Sequence, residues 1–252
     1  MQIEIQKTNT SKEQINQGNE VYSITGSLFW CFILTILLST IIGFIVLTGM
    51  RINGDLGVDL DLDLVFNQPN IMFYTSMISA IITIPLLKVA SKRPSYTELL
   101  EFIKIKSINN NTLIKLVAFG VIYYGIESLT ISLLGIGTPQ YMLDVKSQII
   151  TYWDLLLLIL AVCIIVPIIE EVIFRGVIFT RLQLSRVGTK GAVIYTSIIF
   201  GILHFQYEIV FMVYTLLVGI LLAVVRIKTN NLMYCIVLHM IFNSLSTLEL
   251  LF

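Results

Sequence analysis

The chain has 252 residues, 56% of them hydrophobic and 13% charged, with a mean hydropathy of +0.89. Lysine plus arginine and aspartate plus glutamate number 16 each, so the formal net charge is zero. This composition excludes an ordinary soluble domain, and without a basic block nothing invites nucleic acid; the partner to reason with is the lipid bilayer.

In chain order, a polar tail over residues 1–26 precedes an apolar run from Ser27 to Met50. That run holds about 24 uncharged residues, longer than a signal-peptide core and long enough to span, so the tail is expected to be retained. Further spanning helices are predicted over Ile71–Val89, Leu113–Leu134, Trp153–Thr180, Gly191–Phe205, Ile209–Val225 and Asn231–Leu250. Backbone groups in lipid must be satisfied within the segment, and runs this long without alternation exclude a barrel. The expected fold is therefore an all-α polytopic transmembrane bundle of about seven spans. Spans one to three, with their loops, occupy 27–152, and the last four, over 153–252, form a membrane core.

Before the second span, Asp55, Asp59, Asp61 and Asp63 suggest a calcium loop, but an EF-hand needs Gly and Glu where this chain has Leu64 and Asn70. A solvated acidic loop is expected instead. Tyr96 to Lys106 alternates charged and apolar residues and suits a short amphipathic helix on the inner membrane surface. Cys31, Cys163 and Cys235 sit in apolar runs with no metal or redox spacing and read as small buried hydrophobes. With the N-terminus inside, nearly all lysines and arginines fall on cytoplasmic segments, among them Lys7, Lys12, Lys88, Lys92, Arg93, Arg181 and Lys228. Only Arg51 and Lys146 fall outside, so the N-terminus is expected in the cytoplasm and the C-terminus outside, in a multi-pass protein of the cell membrane.

Ionisable residues within spans cost roughly 2.5 to 3.5 kcal/mol each on the mildest scale, so each needs a partner or a function. Here they are Glu127, Glu170, Glu171, Arg175, His204 and His239. Glu171 and Arg175 share a helix face at i,i+4 and can neutralise one another, while Glu170 points about 100° away and lacks that partner. Pro167 is placed to kink this helix one turn earlier. His239 and Asn243 share a face, as do Phe200 and His204. Measured along each helix from the nearest cytoplasmic charge, Glu170 and His239 lie about 16 Å deep and His204 and Asn243 about 21–22 Å. Interhelical hydrogen bonding accounts for any one such residue. It does not require two adjacent glutamates, an arginine and both histidines to reach one level. Glu127 is at a similar depth but stands alone, which suits a structural or substrate-contact role.

A carboxylate and imidazoles in a low-dielectric cavity can activate water. In that reading Glu170, helped by His204, takes a proton from the water that attacks a peptide carbonyl. His239 and Asn243 then donate to the oxyanion, and Arg175 holds Glu171. Equally open is a divalent metal such as zinc on Glu170, His204 and His239, with Asn243 as neighbour or fourth ligand.

At these residues the chain resembles the CPBP intramembrane peptidases, the CAAX-protease and bacteriocin-processing family. Their pattern, E-E-x-x-x-R, F-x-x-x-H and H-x-x-x-N or H-x-x-x-D, is met by Glu170, Glu171 and Arg175, by Phe200 and His204, and by His239 and Asn243. The resemblance begins at Trp153 and implies a catalytic membrane core that cleaves a membrane-associated peptide or protein. It also makes Glu170 and His204 similar to the family's water-activating pair, and His239 and Asn243 similar to its oxyanion or metal-binding pair. Eukaryotic members cleave prenylated CAAX ends; bacterial members resemble maturation or self-immunity proteins for peptide bacteriocins. The competing expectations are a noncatalytic immunity or scaffold protein using the same cavity and, more remotely, a small transporter.

Overall fold

A computed structural model of the chain describes residues 22–53 and 62–252. The tail residues 1–21, with Lys7 and Lys12, and the loop aspartates Asp55, Asp59 and Asp61 lie outside the described residues, as does the side chain of Asp63. The secondary structure of the described residues is helical: α1 (Ile24–Asn53), α2 (Leu62–Phe66), α3 (Pro69–Ser91), α4 (Tyr96–Ile103), α5 (Asn110–Leu133), α6 (Gln140–Ser147), α7 (Tyr152–Gln183), α8 (Gly188–Ile202), α9 (Ile209–Thr229) and α10 (Leu232–Leu251). Six of these, α1, α3, α5, α7, α9 and α10, are long and apolar enough to cross a membrane. Their outward faces carry apolar side chains such as Phe44, Ile81, Ile122 and Ile126, each more than half exposed, as contact with lipid tails requires.

The fifth expected span is the exception. α8 has 15 residues, and at 1.5 Å per residue it reaches about 22 Å, short of the roughly 30 Å of a hydrocarbon core. The run looked longer in sequence because Leu203, His204 and Phe205 continue its apolar character, but they fold as a turn. α8 and α9 still pack as an antiparallel hairpin. A Cβ on Gly201 would lie 2.8 Å from that of Leu216 and 3.0 Å from the Met212 carbonyl, so only glycine lets the two backbones come this close.

Polar side chains tie the helices together at the basic end of the bundle. Tyr22 donates its hydroxyl to the Ser91 carbonyl at 2.7 Å, and the Arg181 guanidinium, over the Tyr22 ring, bonds the Ala90 carbonyl and Ser27 Oγ. These contacts join α1, α3 and α7. The amphipathic segment is α4: Ser95 caps it, and Leu99, Phe102 and Ile103 are buried. Asn231 fastens the chain that follows α4 to the start of α10, accepting from the Lys106 amide at 3.2 Å and donating to the Ser107 carbonyl at 3.0 Å. At the opposite end, Lys146 on α6 donates to the Leu250 carbonyl at 2.6 Å. The Gln140 amide reaches Glu208, beyond the α8 turn, at 3.2 Å. All three cysteines are free and buried.

Candidate active site

The site is built around an irregular helix. In α7, segments Ile159–Ile165 and Val172–Ile178 are wound with i→i+5 hydrogen bonds, and the turn between them, Val166–Glu171, carries Pro167 and both glutamates. Wide turns of this kind place side chains out of ordinary helical phase. The Val166 amide bonds the Ala161 carbonyl. The next amide in that series belongs to residue 167, a proline without N–H, so the Val162 carbonyl is left open. Asn243 on α10 fills the gap, its Nδ2 donating to Val162 O at 2.9 Å.

Sequence reasoning placed Pro167 near the site as a kink but missed that Asn243 answers it. The pairing has a testable consequence. Asn243→Ala strands the Val162 carbonyl and lowers stability by about 1–2 kcal/mol. Pro167→Ala restores an amide at that position, so in its background the same asparagine substitution costs much less. Thermal unfolding in detergent of the two single variants and the double variant gives the coupling; additive losses would contradict this account.

Glu171 and Arg175 are wholly buried and form the expected pair, Nη1 to Oε1 at 2.9 Å. Arg175 also donates Nη2 to the Gly219 carbonyl at 3.1 Å and lies 4.4 Å over the Phe200 ring. Gly219 is a site residue the sequence did not advertise: a Cβ there would stand 3.4 Å from Nη2 and 3.2 Å from the Ser197 backbone. His239 donates Nδ1–H to the same Glu171 oxygen at 3.0 Å, since a carboxylate oxygen can only accept. Its Nε2 is thereby turned toward Glu170, 3.7 Å from Oε2. That gap is too long for a direct hydrogen bond and short enough for one water, lying to the side, to touch both groups.

Glu170, a quarter exposed at 26%, lines a cavity of about 330 Å3 together with His204, His239 and Asn243. Phe200 stands between the two imidazoles, with ring centroids 4.9 Å from His204 and 5.7 Å from His239. His204 sits in the turn after α8 and donates Nδ1–H to the Phe200 carbonyl at 2.7 Å, leaving Nε2 as its acceptor. Thus both histidines have Nδ1 fixed by a protein acceptor, and the imidazole nearest Glu170 is His239. Tyr207 stacks on His204 with planes 13° apart and meets Tyr141 edge-on at 5.4 Å, and both tyrosines line the cavity. Burial raises the hydroxyl pKa of both tyrosines, that of Tyr207 further through Tyr141 and Glu170, so both stay neutral hydrogen-bonding groups. Glu127 lines the cavity too.

Among the described residues no group of three or more His, Cys, Asp or Glu side chains is placed to hold a metal ion. The set Glu170, His204, His239 and Asn243 shares one cavity, but as placed it is not a ligand cluster. Asn243 directs its amide nitrogen at Val162, and the imidazoles flank Phe200.

Comparison with known proteins falls on this half of the chain. Residues 152–245 match the family model described as type II CAAX prenyl endopeptidase Rce1-like. An Escherichia coli relative, the "Uncharacterized 24.3 kDa protein", is 34% identical over 102 residues. The match covers 39% of this chain and 45% of the relative, so the chain spans less than half of that relative's length. No solved structure matches. The matched segment runs from the start of α7 into α10 and holds Glu170, Glu171, Arg175, His204, His239 and Asn243. Over residues 152–245, therefore, the chain is similar to the Rce1-like type II CAAX prenyl endopeptidase family.

Proposed function

We propose that this protein is an intramembrane endopeptidase that hydrolyses a peptide bond of a membrane-associated peptide or protein with a water activated by Glu170. The observation that carries the proposal is the array Arg175–Glu171–His239, which holds one imidazole nitrogen 3.7 Å from a half-open carboxylate on a cavity wall. Glu170 takes a proton from the water as its oxygen adds to the carbonyl carbon. The oxyanion then receives hydrogen bonds from the second amide hydrogen of Asn243 and from His239 Nε2 when that nitrogen is protonated. His204 presents Nε2 to orient the water. Collapse of the tetrahedral intermediate breaks the C–N bond, and Glu170 passes its proton to the departing amine. Every step uses side chains of the chain itself.

The basic end of the bundle faces the cytoplasm in this reading and the C-terminus lies outside. The biological substrate is a peptide matured or disarmed at the membrane, as in bacteriocin processing or self-immunity. The test is hydrolysis of apolar peptide probes by the purified full-length protein in vesicles made with 18O-water. A peptidase leaves one 18O in each new carboxyl terminus, read by mass spectrometry, and keeps its rate after treatment with a strong chelator. A protein that only binds in the cavity produces no labelled terminus, and that outcome rejects the proposal. Loss of rate on chelation, restored by zinc, would replace the metal-free chemistry with a metal-assisted one.

A further inference from the structure

A second cavity, about 540 Å3, lies between α1, α3 and α7, and Glu170 lines it as well as the first. Met72 and Val166 also face both, so the two spaces meet at the carboxylate. This second space belongs largely to the half of the chain that the family match does not reach. Its walls are mostly apolar but interrupted by hydroxyls: Thr35, Ser39 and Thr40 on α1, and Ser76, Ser79 and Thr83 on α3.

These hydroxyls are not used up by their own helices. Thr35, Thr40 and Ser76 give their protons to the Cys31, Ile36 and Phe73 carbonyls at 2.7, 2.8 and 2.8 Å, which leaves the oxygen lone pairs to accept from elsewhere. Thr83 is 3% exposed, and its Oγ1 has no hydrogen-bond partner among the described residues. A buried, unpartnered hydroxyl on a cavity wall calls for a polar occupant. An acyl chain offers it nothing, and an intact helix presents few free backbone groups because its bonds are internal. A peptide opened out for hydrolysis carries unpaired N–H and C=O groups that cost several kcal/mol each in hydrocarbon unless met.

We infer that this cavity receives the unwound, apolar stretch of substrate polypeptide beside the scissile bond, its backbone bonded by the hydroxyls of α1 and α3. The inference rests on the peptidase reading and adds to it the substrate class: a membrane-embedded polypeptide rather than a lipid-modified soluble end.

Binding is tested apart from chemistry, in full-length protein carrying Glu170→Gln and Ser79→Cys in phosphatidylcholine vesicles. The protein without the serine substitution is the blank, its native cysteines being buried. The probes are two synthetic Leu/Ala peptides of about 20 residues, long enough to span. Each has one central cysteine; one is a continuous helix and the other is interrupted by Gly-Pro on both sides. Disulfide adduct is followed by mass spectrometry under mild oxidation. The interrupted peptide is expected to react at least about fivefold faster, and Thr83→Val to remove most of that preference while Thr83→Ser keeps it, as loss of one hydrogen bond implies. Equal rates for both peptides, or adduct with neither, overturn the inference, and so does preferential adduct with a thiol-tipped phospholipid. Because no hydrolysis is read, a positive result with no 18O incorporation would uphold the site and reject the enzyme; the converse would do the reverse.

Discussion

Glu170→Gln is expected to lower the rate of peptide hydrolysis by about 10²–10⁴-fold while leaving the unfolding temperature in detergent within a degree or two of the parent. The size is that of a missing general base. The amide is isosteric and occupies the same cavity wall, but it cannot accept a proton from water at the moment of attack. Stability holds because Glu170 is 26% exposed and the His239 imidazole is 3.7 Å away, beyond hydrogen-bond reach. Single-turnover cleavage and thermal unfolding on the same preparation check both halves. Cleavage at the parental rate would remove Glu170 from the chemistry; loss of both activity and folding would make it structural.

The second large effect concerns Arg175. Arg175→Met leaves the Glu171 carboxylate wholly buried with only His239 beside it, and one of its oxygens, Oε2, already lacks a hydrogen-bond partner. Stranding a charge in this way costs about 3–5 kcal/mol, far more than the pair itself contributes over an apolar replacement. Removing both charges is therefore milder than removing one, and Arg175→Met with Glu171→Leu recovers most of the lost stability. It does not recover activity, because His239 then has no acceptor for Nδ1 and nothing to aim Nε2 at Glu170. Chemical unfolding followed by far-UV circular dichroism, with a cleavage assay, separates the two consequences. A double variant no more stable than Arg175→Met would show that the arginine matters for packing on Phe200 and not for charge.

The sequence made the membrane character, the helix bundle and the Glu171–Arg175 pair readable, because hydropathy and an i,i+4 spacing are local properties. Depth counting along straight helices also brought Glu170, His204, His239 and Asn243 to one level, and all four line one cavity. What stayed hidden was nonlocal. Which glutamate turns each histidine depends on how α10 lies against the widened turns of α7, and no spacing encodes that. The bond from Asn243 to Val162 answers a proline 76 residues away in sequence. Gly219 reads as an ordinary glycine in an apolar helix until Arg175 is seen reaching its carbonyl. The end of α8 was misjudged because apolar residues in a turn score like those in a helix.

The short reach of α8 bears on how reactant enters. Its hairpin partner α9, with 21 residues, matches a bilayer of about 30 Å, and α8 falls roughly 8 Å short of that. Hydrophobic mismatch of this size draws the adjoining leaflet inward and thins it. If the peptidase reading holds, a dimple at the end of α8 that leads into His204 brings bulk solvent toward Glu170, which lines the same cavity. On that reading, water for hydrolysis is reached through a thinned membrane beside α8.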